Sequence, residues 1–173
     1  VGIVTSSKSN NVLVGSIVES PAGWQDYSVS NARSVRVVEE DNVPVSTALG
    51  VLGMPGLTAY HGLFEIGRPK AGDTLVVSAA AGAVGAVVGQ LGKISGCRVI
   101  GIAGTEAKVS YVLDELGFDA GINYRTQSVE DELKSLCPQG VDIYFDNVGG
   151  TITDAVLDQI ADRARIIICG QIS

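Results

Sequence analysis

Residues 74–85, TLVVSAAAGAVG, carry the densest chemical signal in the chain. A β-branched run gives way to small residues spaced Ala80-x-Gly82-x-x-Gly85. This is the spacing of a strand-to-helix turn that holds a pyrophosphate, with alanine in place of its first glycine. Gly82 lets the backbone approach a phosphate, and Gly85 lets the helix lie close to the strand. The helix N-terminus would then present free N–H groups and a partial positive charge to the phosphates. About twenty residues further on, recognition of a ribose 2′-hydroxyl requires a carboxylate. The segment GIAGTEAK, residues 101–108, has Ala103 and Gly104 there, and its first acid is Glu106. Thr105 is a helix-capping type, Lys108 supplies positive charge, and Tyr124 and Arg125 follow the next strand candidate. The set suits a 2′-phosphate and predicts NADPH as the ligand, with Glu106 the one charge against it. A glycine-rich packing helix without a ligand and a solvated surface lysine are the plain alternatives.

Regular elements must hold these residues together. Strand candidates are TLVVSA, CRVIGIA, AGINY, VDIYFDN and ARIIIC. Helical stretches fall between them near 83–95, 105–116, 128–136 and 151–161. Gly85, Gly89, Gly92 and Gly96 recur at three- and four-residue steps and predict one smooth helical face. Alternating β and α units with apolar strands predict a doubly wound α/β fold: a parallel sheet covered on both faces, five strands of a six-stranded nucleotide fold. The first forty residues differ. VGIVTSS, VLVGSIVES and GWQDYSVS read as strands between turns, with Trp24 and Tyr27 as core aromatics. Residues 44–67 are helical in tendency and break at GMPG. The expected division is 1–45, the end of a β-rich domain, and 46–173, a nucleotide domain. Both ends look like strand sequence cut short, so more chain is expected at each end.

Bulk composition narrows the classes. The chain has 173 residues, 46% of them apolar, and a formal charge of -7. No Lys/Arg cluster argues for nucleic acid. Residues 74–92 carry no charge, but their middle is Ala, Gly and Ser, and a strand-to-helix boundary is visible inside them. They read as strand plus helix rather than as a membrane span. Cys97, Cys137 and Cys169 lie far apart, without metal or disulfide spacing, which fits reduced thiols and a cytoplasmic protein. The lone histidine, His61, sits in a helical stretch and reads as a packing or capping residue. No Tyr-x-x-x-Lys pair occurs.

The segments LGMPGLTAYHGL, AAAGAVGAVVGQ, ELGFDAGINYR, FDNVGG and ICGQIS, in this order and spacing, closely resemble the zinc-independent medium-chain dehydrogenases/reductases. The resemblance is to their prostaglandin reductase and alkenal/enone reductase branch, and it runs through nearly the whole chain. It implies the tail of a GroES-like catalytic domain followed by a Rossmann-type sheet. It implies an NADPH-dependent enzyme that reduces the C=C bond of α,β-unsaturated aldehydes or ketones, with hydride delivered to the β-carbon. It also implies that Gly82, Ala83, Val84 and Gly85 face the pyrophosphate, and that Lys108 and Tyr124 hold the 2′-phosphate. Asn147, Cys169, Gly170 and Ser173 would line the nicotinamide half. Met54 stands where the zinc enzymes have a cysteine ligand, so no metal is expected. The tyrosine usually proposed to help catalysis lies outside this chain, so no catalytic residue is named. A homodimer is expected of the full-length protein. A quinone reductase of the same superfamily and a non-catalytic NADPH-binding protein are the alternatives.

Overall fold

The computed structural model describes residues 1–39 and 43–172. The chain divides into two compact units, Val1–Met54 and Pro55–Ser173.

In the first unit, β1 (Gly2–Ile3), β2 (Ile17–Glu19) and β3 (Arg36–Val37) form an antiparallel sheet in the order β1-β2-β3. These strands are much shorter than the runs expected from sequence. GWQDYSVS forms no strand, and Trp24 and Tyr27 are 107% and 82% exposed rather than core. The reason is pairing: an aromatic strand residue is buried only where a sheet face has a cover, and the ladder here uses β1, β2 and β3. A short 3₁₀ turn, Val45–Leu49, follows.

The second unit carries β4 (Thr74–Ser78), β5 (Arg98–Ala103), β6 (Ala120–Asn123), β7 (Val141–Asp146) and β8 (Ile160–Ile168). They form one parallel sheet in the order β6-β5-β4-β7-β8. This is the Rossmann-type order, one strand short of six, and β6 lies beside β5 as the sequence predicted. Five helical elements cover it. The first, α1 (Met54–His61), has Pro55 in its opening turn, where a missing N–H costs nothing. It widens into π-type turns over Gly62–Gly67. Then come α2 (Gly85–Ile94), α3 (Glu106–Ser110, widening over Tyr111–Glu115), α4 (Val129–Leu136) and α5 (Gly150–Leu157).

The strands read as continuous apolar runs because both faces are covered. Leu75, Val77, Val99, Ile143 and Phe145 join Leu63, Val88 and Val112 in one core cluster. Val76, Ile100, Ile102, Ile122 and Tyr144 join Leu133, Ile152 and Val156 in the other. The glycine face of α2 is real at three positions. A Cβ on Gly85 would lie 2.4 Å from the Ala79 carbonyl oxygen, and one on Gly92 would lie 2.5 Å from Leu75 Cδ2. One on Gly89 would lie 1.8 Å from Phe118 Cζ. Phe118 thus fills a groove that only glycine leaves open, and its burial stabilises the unit by about 1.5–3 kcal/mol. Gly96 does not belong to that face. The helix has ended at Ile94, and Gly96 takes φ 80° to close it.

The last helix is shorter than expected. It stops at Leu157, and Ile160 and Ala161 already belong to β8. The β7–β8 pairing jumps from Val141↔Ile160 to Ile143↔Arg165, with Arg163 at φ 62°. This bulge absorbs the residues that periodicity alone assigned to the helix.

Candidate functional site

The carboxyl ends of β4, β5, β6 and β7 open on a cleft of about 450 Å³. Its walls are built loop by loop. After β4 the chain turns sharply at Ala79, φ 48°, and the Gly82 N–H donates to the Ala79 carbonyl at 2.9 Å. Ala79, Ala81 and Gly82 line the cleft. Gly82 is tight as well as exposed, since a Cβ there would lie 3.1 Å from the Ala79 oxygen. Ala83 and Val84 lead into α2, which starts at Gly85, and none of the three is part of the cleft wall; Gly85 is buried under the Ala79 turn. Within the first turn of α2 the Ala86 N–H donates to the Gly82 carbonyl at 2.9 Å, and the Val87 and Val88 N–H groups donate to the Val84 carbonyl at 3.1 and 2.9 Å, so an anion here would meet the amides that precede them.

After β5, Ala103, Gly104, Thr105 and Lys108 line the cleft. The Thr105 hydroxyl accepts from the Lys108 N–H at 3.3 Å, which is the expected cap. After β6 come Tyr124 and Arg125, also in the wall. The Tyr124 ring packs on Gly104: a Cβ at that glycine would lie 2.8 Å from Tyr124 Oη. The Arg125 guanidinium stands 5.9 Å from the centre of the same ring, a cation–π distance. Thus the absence of a side chain at Gly104 seats Tyr124, and Tyr124 in turn supports Arg125. None of the lining residues is acidic, and two are cationic, in a chain of charge -7.

Glu106, the charge that counted against an anion site, is tied elsewhere. The Asn123 amide donates to Glu106 Oε1 at 2.5 Å, and the Thr126 hydroxyl donates to the same oxygen at 3.3 Å.

The β7 end is organised by Asp146, only 1% exposed. Its Oδ1 accepts from Ser78 Oγ (3.2 Å), Tyr144 Oη (3.0 Å), Val148 N (3.0 Å) and Gly149 N (2.9 Å). Its Oδ2 accepts from Thr153 Oγ1 at 2.7 Å. Burial alone would raise its pKa, but the hydrogen bonds from Thr153, Gly149 and Val148 outweigh it and hold the carboxyl below its ordinary value. Burial pushes the neighbouring Tyr144 phenol up to about 12, so it remains a donor. The carboxylate draws 147–149 into a turn that enters α5 through Gly149 and Gly150, at φ 79° and 64°. Val148, Gly149, Thr151 and Ile152 thereby reach the cleft wall.

Asn147, Cys169 and Gly170 sit behind this wall rather than in it. The Asn147 amide donates to the Ser78 carbonyl at 2.8 Å, and its N–H donates to Ser78 Oγ at 2.8 Å. The Cys169 and Gly170 N–H groups donate to the Asp146 carbonyl at 2.8 and 3.1 Å. Gly170 must be small, because a Cβ would lie 2.9 Å from the Asn147 oxygen. The Cys169 thiol is pushed up by burial and by Asp146, which disfavours a thiolate. Ile172 lines the cleft, and Ser173 lies outside the described residues. Of the residues expected at the site, Gly82, Lys108 and Tyr124 therefore line one cleft. Sequence reasoning missed Asp146, Gly149 and Thr151; the paired glycines of FDNVGG were the available signal.

His61 is exposed and meets the Tyr60 ring edge-on at 5.6 Å. No group of three or more His, Cys, Asp or Glu able to hold a metal ion occurs among the described residues. No helix among them is long and apolar enough to cross a membrane.

Residues 83–173 match the family model described as zinc-binding dehydrogenase. Prostaglandin reductase 1 of Oryctolagus cuniculus is 50% identical over 174 residues, 98% of this chain and 50% of that protein. The NADPH-dependent curcumin reductase of Escherichia coli (strain K12) is 45% identical over 170 residues, 98% of this chain and 49% of that protein. The crystal structure of CurA in complex with NADPH from Vibrio vulnificus matches with a TM-score of 0.81 at 51% identity. That match covers 86% of this chain and 44% of that one. The chain thus spans about half the length of the curated relatives it matches. With the sheet order, the glycine turn and these matches in agreement, the chain belongs to the zinc-binding dehydrogenase family and stands within it close to the prostaglandin reductase 1 and CurA group.

Proposed function

We propose that the protein is an NADPH-dependent, zinc-independent reductase of the C=C bond of α,β-unsaturated aldehydes and ketones. One observation carries the cofactor: the cleft after β4, β5 and β6 is lined by Lys108 and Arg125 and by no acid, while Glu106 is held by Asn123 and Thr126. A ribose 2′-hydroxyl site needs the carboxylate that is missing there. The pyrophosphate belongs at Gly82, Ala83, Val84 and the start of α2, where a Cβ on Gly85 would clash with the Ala79 carbonyl and one on Gly82 would crowd it. Lys108 and Tyr124 hold the 2′-phosphate, with Arg125 beside them. Asn147, Cys169, Gly170 and Ser173 belong to the nicotinamide half. There Asn147 and Gly170 support the wall through Ser78 and Asp146. Bound NADPH supplies the hydride, and this chain's residues bind and orient it.

The substrate class rests on the relatives. Curcumin contains α,β-unsaturated ketones, and a reductase of that molecule with NADPH is 45% identical to this chain. A cytoplasmic location fits three free cysteines, two of them buried. The division into 1–45, GroES-like tail, and 46–173, nucleotide domain, and assembly as a homodimer belong to the same reading.

The test is turnover by the purified protein with NADPH and a simple enone, the product identified by mass as the saturated ketone. A quinone tried in parallel should react more slowly. Turnover of quinones alone would make it a quinone reductase, and tight NADPH binding with neither reaction would make it a binding protein.

A further inference from the structure

The junction after β6 gives Asn123 a role that the cofactor reading does not contain. Asn123 is 2% exposed, and its side chain is used at both ends. Its Oδ1 accepts from the Arg125 N–H at 3.2 Å, and its Nδ2 donates to Glu106 Oε1 at 2.5 Å. Its backbone is equally committed: its N–H donates to Gln127 Oε1 at 2.8 Å, and its carbonyl accepts from the Gln127 N–H at 2.9 Å. A backbone N–H can only donate, so the Arg125 contact fixes which way the amide points. The donor end must then face Glu106.

Glu106 is exposed and opens α3 two residues before Lys108. Without a partner, a glutamate at an exposed helix start samples several rotamers. Some of them would bring its charge toward the cations of the cleft. We propose that Asn123 is a positioning residue for cofactor choice: its amide parks the Glu106 carboxylate outside the cleft while it orients the turn that presents Tyr124 and Arg125. The acid that the sequence sets against a 2′-phosphate is neutralised by orientation rather than by removal. This inference rests on the NADPH reading above.

The test is a cycle of variants with the dissociation constants of NADPH and NADH measured for each. Asn123→Asp keeps the acceptor for the Arg125 N–H and turns the other end into a second carboxylate facing Glu106. Glu106 should swing free, and NADPH affinity should fall about three- to tenfold with NADH nearly unchanged, as expected for one mobile like charge near a phosphate. The loss should shrink at high salt. Adding Glu106→Gln restores a donor–acceptor pair with the roles exchanged, so the double variant should recover most of the NADPH affinity. Thr126→Val, a milder change at an exposed position, should give a smaller loss of the same selective kind. Equal losses for both cofactors, or no recovery in the double variant, would overturn the inference while a wild-type preference for NADPH left the cofactor reading intact. A wild type that bound the two cofactors equally would overturn both.

Discussion

Gly104→Ala is the sharpest perturbation of the cleft. The added Cβ would lie 2.8 Å from Tyr124 Oη, 2.9 Å from Cε1 and 3.0 Å from Cζ. Ordinary contact begins near 3.4 Å, so the ring must retreat by about 0.4–0.6 Å. It has somewhere to go, since Tyr124 is 42% exposed. Its backbone does not follow, because the Tyr124 N–H is bonded to the Ala103 carbonyl at 3.1 Å. The cost to folding is therefore small, below about 1 kcal/mol, as for most changes on a half-open surface. On the proposed reading the cost to binding is larger, because the hydroxyl would leave its register with the 2′-phosphate. A misplaced hydrogen bond to a charged group is worth about 1–2 kcal/mol, or about a five- to thirtyfold loss of NADPH affinity.

Calorimetric titration with NADPH and NADH, beside a melting curve, separates these terms. NADH lacks the phosphate and should bind the variant as it binds the wild type. In a Tyr124→Phe background the hydroxyl is already gone, so Gly104→Ala should then change little. Unchanged NADPH affinity, equal losses for both cofactors, or full additivity in the double variant would refute the seating of Tyr124 on Gly104.

Lys108→Ala should weaken NADPH by about ten- to a hundredfold and leave NADH nearly untouched, since a charge-assisted contact is worth about 1.5–3 kcal/mol; equal losses would assign the lysine to the pyrophosphate or to the fold. Asp146→Ala strands Ser78, Tyr144, Thr153 and two backbone N–H groups and should cost about 3–5 kcal/mol of stability in chemical denaturation, whereas Asp146→Asn, which can keep Oδ1, should cost less. Because the folded Asp146 titrates below its unfolded value, its contribution is complete above about pH 4 and disappears as pH falls through the lower folded value; the Asn variant should lose that part of the acid sensitivity, and an unchanged acid profile would contradict the hub.

Those features that depend on local pattern are legible in the sequence alone. The five apolar strands, the small-residue turn at Ala80–Gly85 and the missing acid after β5 are all runs or spacings within a few residues. What escaped were features set by distant partners. Trp24 and Tyr27 read as core because aromatic residues in β-like runs usually are, yet the three-stranded sheet does not include them. The 151–161 helix ran too long because a bulge in β8 has no periodic signature. Asp146 read as one more residue of the strand VDIYFDN, and its donors come from β4, β7, the 147–149 turn and α5. Glu106 read as an obstacle because the residue that restrains it is seventeen positions away.

The cleft thus combines two kinds of residue with different tolerances. Lys108, Arg125 and Tyr124 reach the wall with exposed side chains, so on the proposed reading changing them should alter what binds and leave the fold nearly intact. Asp146 and Asn123 never reach the wall; they are buried polar groups, each satisfied by several partners, and each fixes the turn from which wall residues project. A buried polar group left without partners costs more than its bond was worth, so these two positions couple ligand choice to folding. Changes of cofactor preference are therefore expected to be accessible through Lys108, Arg125 and Glu106, with little loss of stability. A preference change engineered at Asn123 should instead need a compensating change at Glu106. The donor–acceptor exchange between positions 123 and 106 is the smallest pair that satisfies both demands.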